Sequence, residues 1–479
     1  MNDWEHASRW LNSQNPLIIA SSGGGGHISA AESLIQQLKQ KKNKLLPYHF
    51  YQHAARELLS IESLIWLSIN TYHHPLPNYI LKNFKSFIFP NQEQLQSEMN
   101  LLLGQQEKIQ QRHYVDFLLD LQPNGLIFAS MFNFYQKLGH ATSLKRIVKH
   151  QTLLDMIYKP IIKNKVYEML VQGIQQQKPY DTILSTQAMG LPAICEAVAK
   201  YNAHRVQLSK EFNINVPEIY MHQFITDIPN TTAEHYLKPL NQIDILHRKN
   251  LILHLLDLST ENYFLEKKHA FKVFRYDPQH NPIVRDEFRR TKQEKNPFCL
   301  QIIRSPLDTI FLKPNERLGL IMLSSSNGDT SIEYVKSLVH MKIEHIAILG
   351  HPTPALVKFL SKIQKNKRMK SKVHILGHLN SEQLKDLLKN CHLLILKGGG
   401  LSLMEIASFD LKSETIVFLH KPVDEELHIM ESGLVWEDGN TDWFIKYSEN
   451  QNRHAILSNP RLIEKQYLAH LKKGHQCAS

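Results

Sequence analysis

Cysteine is scarce in this sequence, and the cysteines present show no functional spacing. Four cysteines stand among 479 residues, at positions 195, 299, 391 and 477. None lies within the few residues of another that a metal-binding or redox pair requires. The pattern indicates reduced thiols in a reducing compartment.

Long hydrophobic runs are also missing. No stretch approaches the roughly 18 consecutive apolar residues of a membrane-spanning helix. The first ten residues, MNDWEHASRW, contain two acids and no apolar run, so a secretory signal is not expected. We expect a cytoplasmic protein, either soluble or peripheral to the inner face of a membrane.

Acidic residues are fewer than basic ones. Lysine and arginine number 56 and aspartate and glutamate 45, which gives a net charge of +11 with histidine neutral. This excess favours anionic partners such as phospholipid, nucleic acid or nucleotide. The sequence has no basic module interleaved with aromatic residues, so nucleic-acid binding is not expected.

Glycine is scarce but clustered. Of the 19 glycines, four form Gly23–Gly26 and three form Gly398–Gly400, which marks backbone positions with special geometric demands. The first cluster follows PLIIAS (16–21), an apolar run typical of a buried parallel strand. Apolar residues at 31, 34, 35 and 38 then predict an amphipathic helix. The chain therefore begins with a strand, a glycine turn and a helix.

The second half of the chain alternates short apolar runs with helical patterns. The expected strands are 318–323, 345–349, 373–376, 393–396 and 415–419. Such alternation predicts a parallel sheet covered by helices on both faces, as in a Rossmann-like domain. Because 479 residues are too many for one hydrophobic core, two domains are expected.

After the first glycine cluster, the first half of the chain shows a weaker pattern of helices and strands. Residues 50–180 are mostly helical in pattern, and strands are expected again at 182–186 and 218–227. The segment 235–300 shows little periodicity, and its structure cannot be predicted from the pattern.

Each glycine cluster follows an expected strand, and ligands of open parallel sheets bind at the carboxyl ends of the strands. Glycine lets the backbone approach a ligand closely, and the amides and dipole of a helix N-terminus favour phosphate. Glycine turns also occur for conformational reasons alone. Two clusters, one in each half, favour the ligand-binding interpretation.

A family resemblance rests on these segments. SSGGGGHISAAES (21–33) resembles the glycine-rich turn of monogalactosyldiacylglycerol synthases and processive diacylglycerol glucosyltransferases, and CHLLILKGGGLSLMEIA (391–407) resembles their donor motif. ILGHPTP (348–354) and VHILGHLNSEQLKDLLKNC (373–391) follow the family's strand–loop–helix order. The peptidoglycan lipid-intermediate N-acetylglucosaminyltransferase is a more distant relative.

The resemblance implies an α/β protein with two Rossmann-like domains facing a cleft, the glycosyltransferase B fold. It implies an acceptor-side domain over 1–312, with a helical insertion at about 50–180. A nucleotide-sugar-binding domain is expected over 313–440, and a helical tail over 441–479 is expected to cross back to the first domain.

The implied reaction is an inverting transfer of a hexose from a UDP-sugar to a lipid or other membrane-proximal acceptor, as in glycolipid synthesis. The UDP-sugar is a co-substrate, and no metal or other cofactor is expected. In this fold, helix N-termini and basic side chains stabilise the departing diphosphate. The lack of a metal-binding acidic pair in the sequence agrees with this.

The resemblance assigns the donor site to the second domain. Glu405 is expected to accept hydrogen bonds from the ribose hydroxyls, with an exposed helix glutamate as the alternative. The backbone of His378 and Leu379 is expected to hold the uracil edge. Asp424, Glu425 and Glu426 stand where the family commonly has a glycine–glutamine pair of the sugar-selecting segment, and Glu425 and Glu426 are the expected donor-binding residues there. The diphosphate is expected to lie against Lys397, Gly398, Gly399, Gly400, Leu401 and Ser402.

The catalytic residues are expected in the first domain. Gly24, Gly25 and Gly26 are expected to form the loop that faces the acceptor or a phosphate. His27 is the expected general base, because imidazole is suited to removing a proton near neutral pH. The alternative is a histidine that only caps its helix or holds the turn. Asp227 is expected to orient the acceptor or His27, and a strand-terminal turn aspartate is the alternative.

Two other functions share this architecture. A nucleotide-sugar epimerase uses the same frame without an acceptor. A catalytically altered binding protein would have kept the fold and lost the activity, an interpretation that the acids at 424–426 favour. The histidine beside the glycine turn favours transfer.

One aromatic stretch predicts contact with an anionic membrane surface. Residues 64–90 mix tryptophan, tyrosine and phenylalanine with lysine, a composition suited to the boundary between headgroups and acyl chains. The alternative is that these side chains form the core of a helical insertion.

Overall fold

The chain forms two compact units. A computed structural model describes residues 9–21, 25–42, 113–122, 125–138, 141–230, 233–258, 271–289, 301–305, 307–323, 326–327, 329–364, 370–377, 379–421 and 435–476. The first unit comprises Met1–Phe134, Ser143–Pro229 and Glu234–Tyr276, and the second comprises Tyr135–Thr142, Asn230–Ala233 and Asp277–Ser479.

Strands and helices alternate through most of the described chain. The strands are β1 (Pro16–Ala20), β2 (Val115–Asp116), β3 (Thr182–Ser185), β4 (Tyr220–Phe224), β5 (Leu251–Leu256), β6 (Lys272–Tyr276), β7 (Gln301–Arg304), β8 (Thr309–Leu312), β9 (Leu318–Met322), β10 (Ser326–Asn327), β11 (His345–Leu349), β12 (His351–Pro352), β13 (Lys372–Gly377), β14 (Leu393–Leu396), β15 (Ile416–His420) and β16 (His454–Ser458). The α-helices are α1 (Gly25–Lys42), α2 (Gly125–Leu138), α3 (Ala141–Gln175), α4 (Leu191–Phe212), α5 (Glu234–Asn241), α6 (Ile245–Arg248), α7 (Asp329–His340), α8 (Pro354–Gln364), α9 (Ser381–Asn390), α10 (Gly400–Ser408), α11 (Val435–Asn450) and α12 (Ile463–Gln476).

The first unit contains a six-stranded parallel sheet in the order β2-β1-β3-β4-β5-β6. Strands β1, β3 and β5 are buried along their whole length, because helices cover both faces of such a sheet and favour continuous apolar runs. The chain reverses its direction of winding between β1 and β3. That point is the topological switch of the first sheet, where ligands of doubly wound folds bind.

The second unit contains a six-stranded parallel sheet in the order β13-β11-β9-β14-β15-β16. If its strands are counted along the chain from β9, this order is 3-2-1-4-5-6, the order of dinucleotide-binding Rossmann folds. The switch point lies between β9 and β14. Buried apolar residues of the sheet, α7 and α8 form one cluster on one of its faces. Both units are therefore Rossmann-like, as the sequence predicted.

The sequence pattern of 235–300 did not reveal two strands, β5 and β6. LILHLL of β5 is a short apolar run, and its six residues are all buried. KVFRY of β6 is the edge strand and is partly exposed, so its pattern carries little hydrophobic signal. Together they complete the first sheet.

The C-terminal region differs in detail from the expected helical tail. Residues 454–458 form β16, a sixth strand of the second sheet, and α12 follows it. The second unit also includes residues from Asp277 onward, whereas the sequence placed the domain boundary at 312/313. The crossing of the tail to the first domain stays a prediction.

Among the described residues, no helix is both long enough and apolar enough to span a bilayer. The aromatic stretch 64–90 lies outside the described residues, as does the insertion from 50 to 112. The remainder of the expected insertion contains α2 and α3, which are helical.

Candidate functional site

Helix α1 begins at Gly25, shortly after β1 ends at Ala20. Gly25 and Gly26 are the first residues of α1, and His27 follows them. Gly24 lies outside the described residues. Nδ1 of His27 lies 2.6 Å from the carbonyl oxygen of Thr186, and the Thr186 hydroxyl donates to the carbonyl of His27 at 2.8 Å. Because Thr186 directly follows β3, these two hydrogen bonds join the two sides of the switch point.

The contact with Thr186 determines the tautomer of His27. A carbonyl oxygen only accepts hydrogen bonds, so Nδ1 must carry the proton and Nε2 must hold the lone pair. Within the described ranges, no residue forms a hydrogen bond with Nε2. In the described part of the chain, the basic nitrogen of His27 thus has no hydrogen-bond partner.

The surroundings of His27 favour its neutral form. Burial lowers the pKa of His27, the charge of Asp227 and the Thr186 carbonyl oppose this effect, and His235 adds to it. A neutral imidazole with an unoccupied Nε2 is the form that can act as a general base.

A second group of hydrogen bonds supports the His27–Thr186 contact. Oγ1 of Thr226 lies 3.2 Å from Nδ1 of His27 and 2.9 Å from the hydroxyl of Tyr236. The Tyr236 hydroxyl donates to the Thr186 carbonyl at 3.2 Å. Burial raises the pKa of Tyr236, so this phenol stays protonated and keeps its donor. Tyr236 has no recognisable motif around it, and sequence reasoning missed it.

Asp227 lies close to His27 in the structure. Its Oδ2 is 3.0 Å from Nε2 of His235, and both side chains are mostly buried. Asp227 acts on His27 through its charge, and it also accepts a hydrogen bond from His235.

The second glycine turn leads from β14 into α10. Gly399 is the N-cap residue of α10, and no side chain caps the helix. The first amides of an α-helix have no acceptor within the helix, so those of Gly400, Leu401 and Ser402 can bind an anion beside the switch point.

The two glycines before α10 differ in their surroundings. A Cβ atom at Gly398 would lie 2.8 Å from the carbonyl oxygen of Glu437 and 2.9 Å from Cγ2 of Thr441. A Cβ atom at Gly399 would meet no heavy atom within 4 Å among the described residues. Packing against α11 thus excludes a Cβ atom at Gly398, whereas no described residue would contact one at Gly399.

Lys397 has a protein partner in this structure. Its Nζ lies 2.8 Å from Oε1 of Glu437 in the first turn of α11, and both side chains are mostly buried. Asn440 of the same helix donates from Nδ2 to the carbonyl of Gly398 at 2.9 Å. The first half of α11 therefore contacts the second glycine turn through Glu437 and Asn440. The carboxylate of Glu437 compensates part of the positive charge of Lys397, which was expected to bind a diphosphate.

Glu405 lies on α10 and forms an ion pair that the sequence did not reveal. Nε and Nη2 of Arg285 donate to its two carboxylate oxygens at 2.7 and 2.9 Å. Glu405 is buried, with 5% of its surface exposed, so it is not the exposed helix glutamate of the alternative interpretation. Arg285 lies in the segment that lacked an interpretable pattern.

The other predicted donor residues are only partly described. Leu379 directly precedes Asn380, whose side chain caps α9 in a capping box with Gln383. His378, Glu425 and Glu426 lie outside the described residues. In the described part of the chain, no group of three or more metal-binding side chains is arranged to hold a metal ion.

Comparisons with known proteins find similar solved structures but no family. No family model matches the chain, and no curated protein sequence matches it, so the resemblance of 21–33 and 391–407 to a particular family stays a prediction.

The chain is similar to the crystal structure of MurG from Acinetobacter baumannii, with a TM-score of 0.33 and 9% identity over 65% of this chain and 70% of that one. It is similar to the GtfA/B complex, with a TM-score of 0.32 and 10% identity over 65% of this chain and 54% of that one. It is also similar to the UDP-GlcNAc 2-epimerase from Neisseria meningitidis bound to UDP-GlcNAc, with a TM-score of 0.29 and 11% identity over 66% and 82%. Similarity at this level assigns no activity to the chain.

Proposed function

We propose that this protein is an inverting glycosyltransferase that moves a sugar from a UDP-sugar to a lipid or other membrane-proximal acceptor. The observation that supports it most is the fixed tautomer of His27 at the switch point of the first sheet. The contact of Nδ1 with Thr186 leaves Nε2 unprotonated and without a described partner. A nucleotide-binding protein without transferase activity has no need of such a base.

The donor side of the proposal rests on α10. Its N-terminal amides lie beside the switch point of a sheet with the strand order of dinucleotide-binding folds. No described residue would contact a Cβ atom at Gly399, which is consistent with a diphosphate beside it, and the helix dipole favours negative charge. The carboxylate of Glu405, one turn further along α10, is the proposed acceptor for the ribose hydroxyls.

The proposed reaction is a single displacement. The oxygen of an acceptor hydroxyl forms a bond with the anomeric carbon, while the bond from that carbon to the β-phosphate oxygen breaks. The hydroxyl proton passes to Nε2 of His27, which becomes an imidazolium stabilised by the Thr186 carbonyl and the charge of Asp227. UDP leaves with the electron pair, and helix amides stabilise its charge. Attack from the face opposite the leaving group inverts the anomeric configuration.

The lipid acceptor is supported by the sequence alone. The net charge of +11 favours an anionic surface, and the aromatic stretch 64–90 has an interfacial composition. The resemblance to diacylglycerol glycosyltransferases points to the same acceptor class.

A product assay with labelled UDP-sugars tests the proposal. The purified chain is incubated with each UDP-hexose in the presence of diacylglycerol in anionic vesicles, and the lipid and aqueous phases are analysed separately. We expect label in the lipid phase and release of one UDP for each sugar transferred. Conversion of the UDP-sugar into its epimer without an acceptor, or binding without any product, would overturn the proposal.

A further inference from the structure

We infer that Arg285 is a positioning residue that holds the Glu405 carboxylate ready to accept the two hydroxyls of a nucleotide ribose. The inference rests on the proposed function, because it names a second residue in the proposed donor site. Arg285 and Glu405 are 120 positions apart in the chain and both belong to the second unit.

The contact between the two side chains is bidentate. Nε of Arg285 donates to Oε1 at 2.7 Å and Nη2 donates to Oε2 at 2.9 Å. Side-chain exposure is 18% for Arg285 and 6% for Glu405. A planar guanidinium in this arrangement fixes the plane of the carboxylate as well as its position.

The Glu405 carboxylate has enough lone pairs to accept hydrogen bonds from a diol as well as from Arg285. An ionised carboxylate has about four lone-pair sites, two on each oxygen. Arg285 occupies one site on each oxygen, so one site on each has no partner among the described residues. The two vicinal hydroxyls of a ribose supply one donor each, which matches the remaining acceptors of a carboxylate whose buried charge is already compensated.

Arg285 also contacts the segment after β13, which the resemblance assigns to the uracil base. Nη1 donates to Oγ of Ser381 at 3.3 Å, and Ser381 is the first residue of α9, next to the capping residue Asn380. Leu379, predicted to contact uracil, precedes that cap. One guanidinium thus joins the loop after β13 to the helix after β14, the two elements expected to bind the base and the ribose.

The segment that carries Arg285 packs along α10. The guanidinium lies over the ring of Phe288 at 4.7 Å, and that ring packs against Phe409 at 6.1 Å. The Ser408 hydroxyl donates to the carbonyl of Pro278 at 2.6 Å. The guanidinium is therefore oriented from two sides before any ligand binds, as a positioning residue requires.

Discrimination between UDP and 2′-deoxy-UDP tests this role. If Glu405 accepts the 2′-hydroxyl, the wild-type chain should bind UDP about tenfold or more tightly than 2′-deoxy-UDP in calorimetric titrations. In Arg285→Gln the ratio of the two dissociation constants should fall close to one, mainly through weaker binding of UDP. If Arg285 had a purely structural role, the substitution would weaken the binding of both nucleotides by the same factor.

Arg289→Lys is the matched control. Arg289 lies in the same segment, but its guanidinium contacts Asp286 and the carbonyls of Asn281 and Val284. This variant should keep the wild-type ratio. Arg285→Lys retains the charge without the bidentate geometry and should lower the ratio part of the way. If Arg285→Gln does not fold, as judged by thermal melting, Arg285→Lys is the variant that tests the inference.

A wild-type ratio in both Arg285 variants would overturn the inference, and so would a wild-type chain that binds the two nucleotides equally. The proposed function fails separately. A chain that shows Arg285-dependent discrimination but transfers no sugar would overturn the transferase proposal and leave this inference standing. A chain that transfers sugar, and whose discrimination between the two nucleotides does not depend on Arg285, would overturn this inference and leave the transferase proposal standing.

Discussion

Gly398 lies so close to the carbonyl oxygen of Glu437 that a Cβ atom on the glycine would come within 2.8 Å of it. Its neighbour Gly399 has no such contact among the described residues. Among the described residues, packing therefore constrains Gly398 and leaves its neighbour Gly399 unconstrained.

We expect Gly398→Ala to destabilise the second unit and Gly399→Ala to weaken nucleotide binding. Overpacking at Gly398 should cost about 1–3 kcal/mol of the free energy of unfolding. At Gly399 the loss of the glycine cap and the lower entropy of the unfolded chain oppose each other, so stability should change by less than about 1 kcal/mol. UDP affinity of Gly399→Ala should fall about tenfold or more. Urea unfolding and calorimetry measure the two effects, and unchanged UDP affinity would exclude Gly399 from the diphosphate site.

Replacing His27 should abolish transfer and leave donor binding intact. Loss of a general base lowers kcat by about 10²- to 10⁴-fold, so His27→Ala should fall in this range, with UDP affinity close to that of the wild type. His340→Ala removes an exposed histidine of the second unit and should keep full activity. Activity of His27→Ala within a few-fold of the wild type would remove His27 from the mechanism.

The pH dependence of transfer should report the lowered pKa of His27. A protonated imidazole cannot accept the hydroxyl proton, so activity is lost as the pH falls through the folded-state pKa, which lies below the model-peptide value of 6.5. We expect the acidic limb of kcat/KM below pH 6.5. An acidic limb above that value would contradict the assignment.

Buried histidines should make the protein less stable in acid. Burial lowers the pKa of His254, His345 and His392 in the folded state, and lowers the pKa of His420 to about 3. Below pH 6.5 the unfolded chain binds protons that the native state excludes, so stability is full above that pH and is lost as the pH falls. Each histidine that stays neutral contributes a slope of about 1.4 kcal/mol per pH unit.

Urea unfolding between pH 7.5 and 5 measures this slope. His420→Asn keeps a partner for the hydroxyl of Tyr334, which lies 3.0 Å from Nδ1 of His420, and removes the titrating group. The slope should decrease by the contribution of one histidine. A slope identical to that of the wild type would show that His420 is not protected from protonation.

Association with an anionic membrane is the fifth expectation. The chain should sediment with anionic vesicles at low salt, remain in the supernatant with neutral ones, and be released by salt, because exposed charges are screened. Replacing Trp66 and Phe87 in the stretch 64–90 by serine should reduce the bound fraction. Equal recovery in the supernatant with both kinds of vesicle would point to a soluble acceptor.

The sequence predicted the elements that depend on local pattern. The run PLIIAS followed by glycine and an amphipathic period gave β1 and α1, and LLIL before Gly398 gave β14 and α10. Both glycine turns carry their signal within about twenty residues, which is why their place at the ends of strands could be foreseen.

The partners of the site residues could not be predicted in the same way. His27 meets Thr186 across 159 positions, and Glu405 meets Arg285 across 120. No periodicity of a single sequence encodes such contacts, because they depend on strand order. Strand β16 shows the same limit: HAILS is too short and too exposed to be distinguished from the helices that flank it.

The position of β16 has a consequence for any shortened form of the chain. β16 pairs in parallel with β15 from Ile416 to His420 and forms the last strand of the second sheet. A chain that ends before His454 would leave the backbone donors and acceptors of an apolar strand, IVFLH, facing solvent. Such an edge is a template for pairing with another molecule. Truncation after α11 should therefore produce a protein that self-associates through its second sheet, even though every residue of both glycine turns is retained.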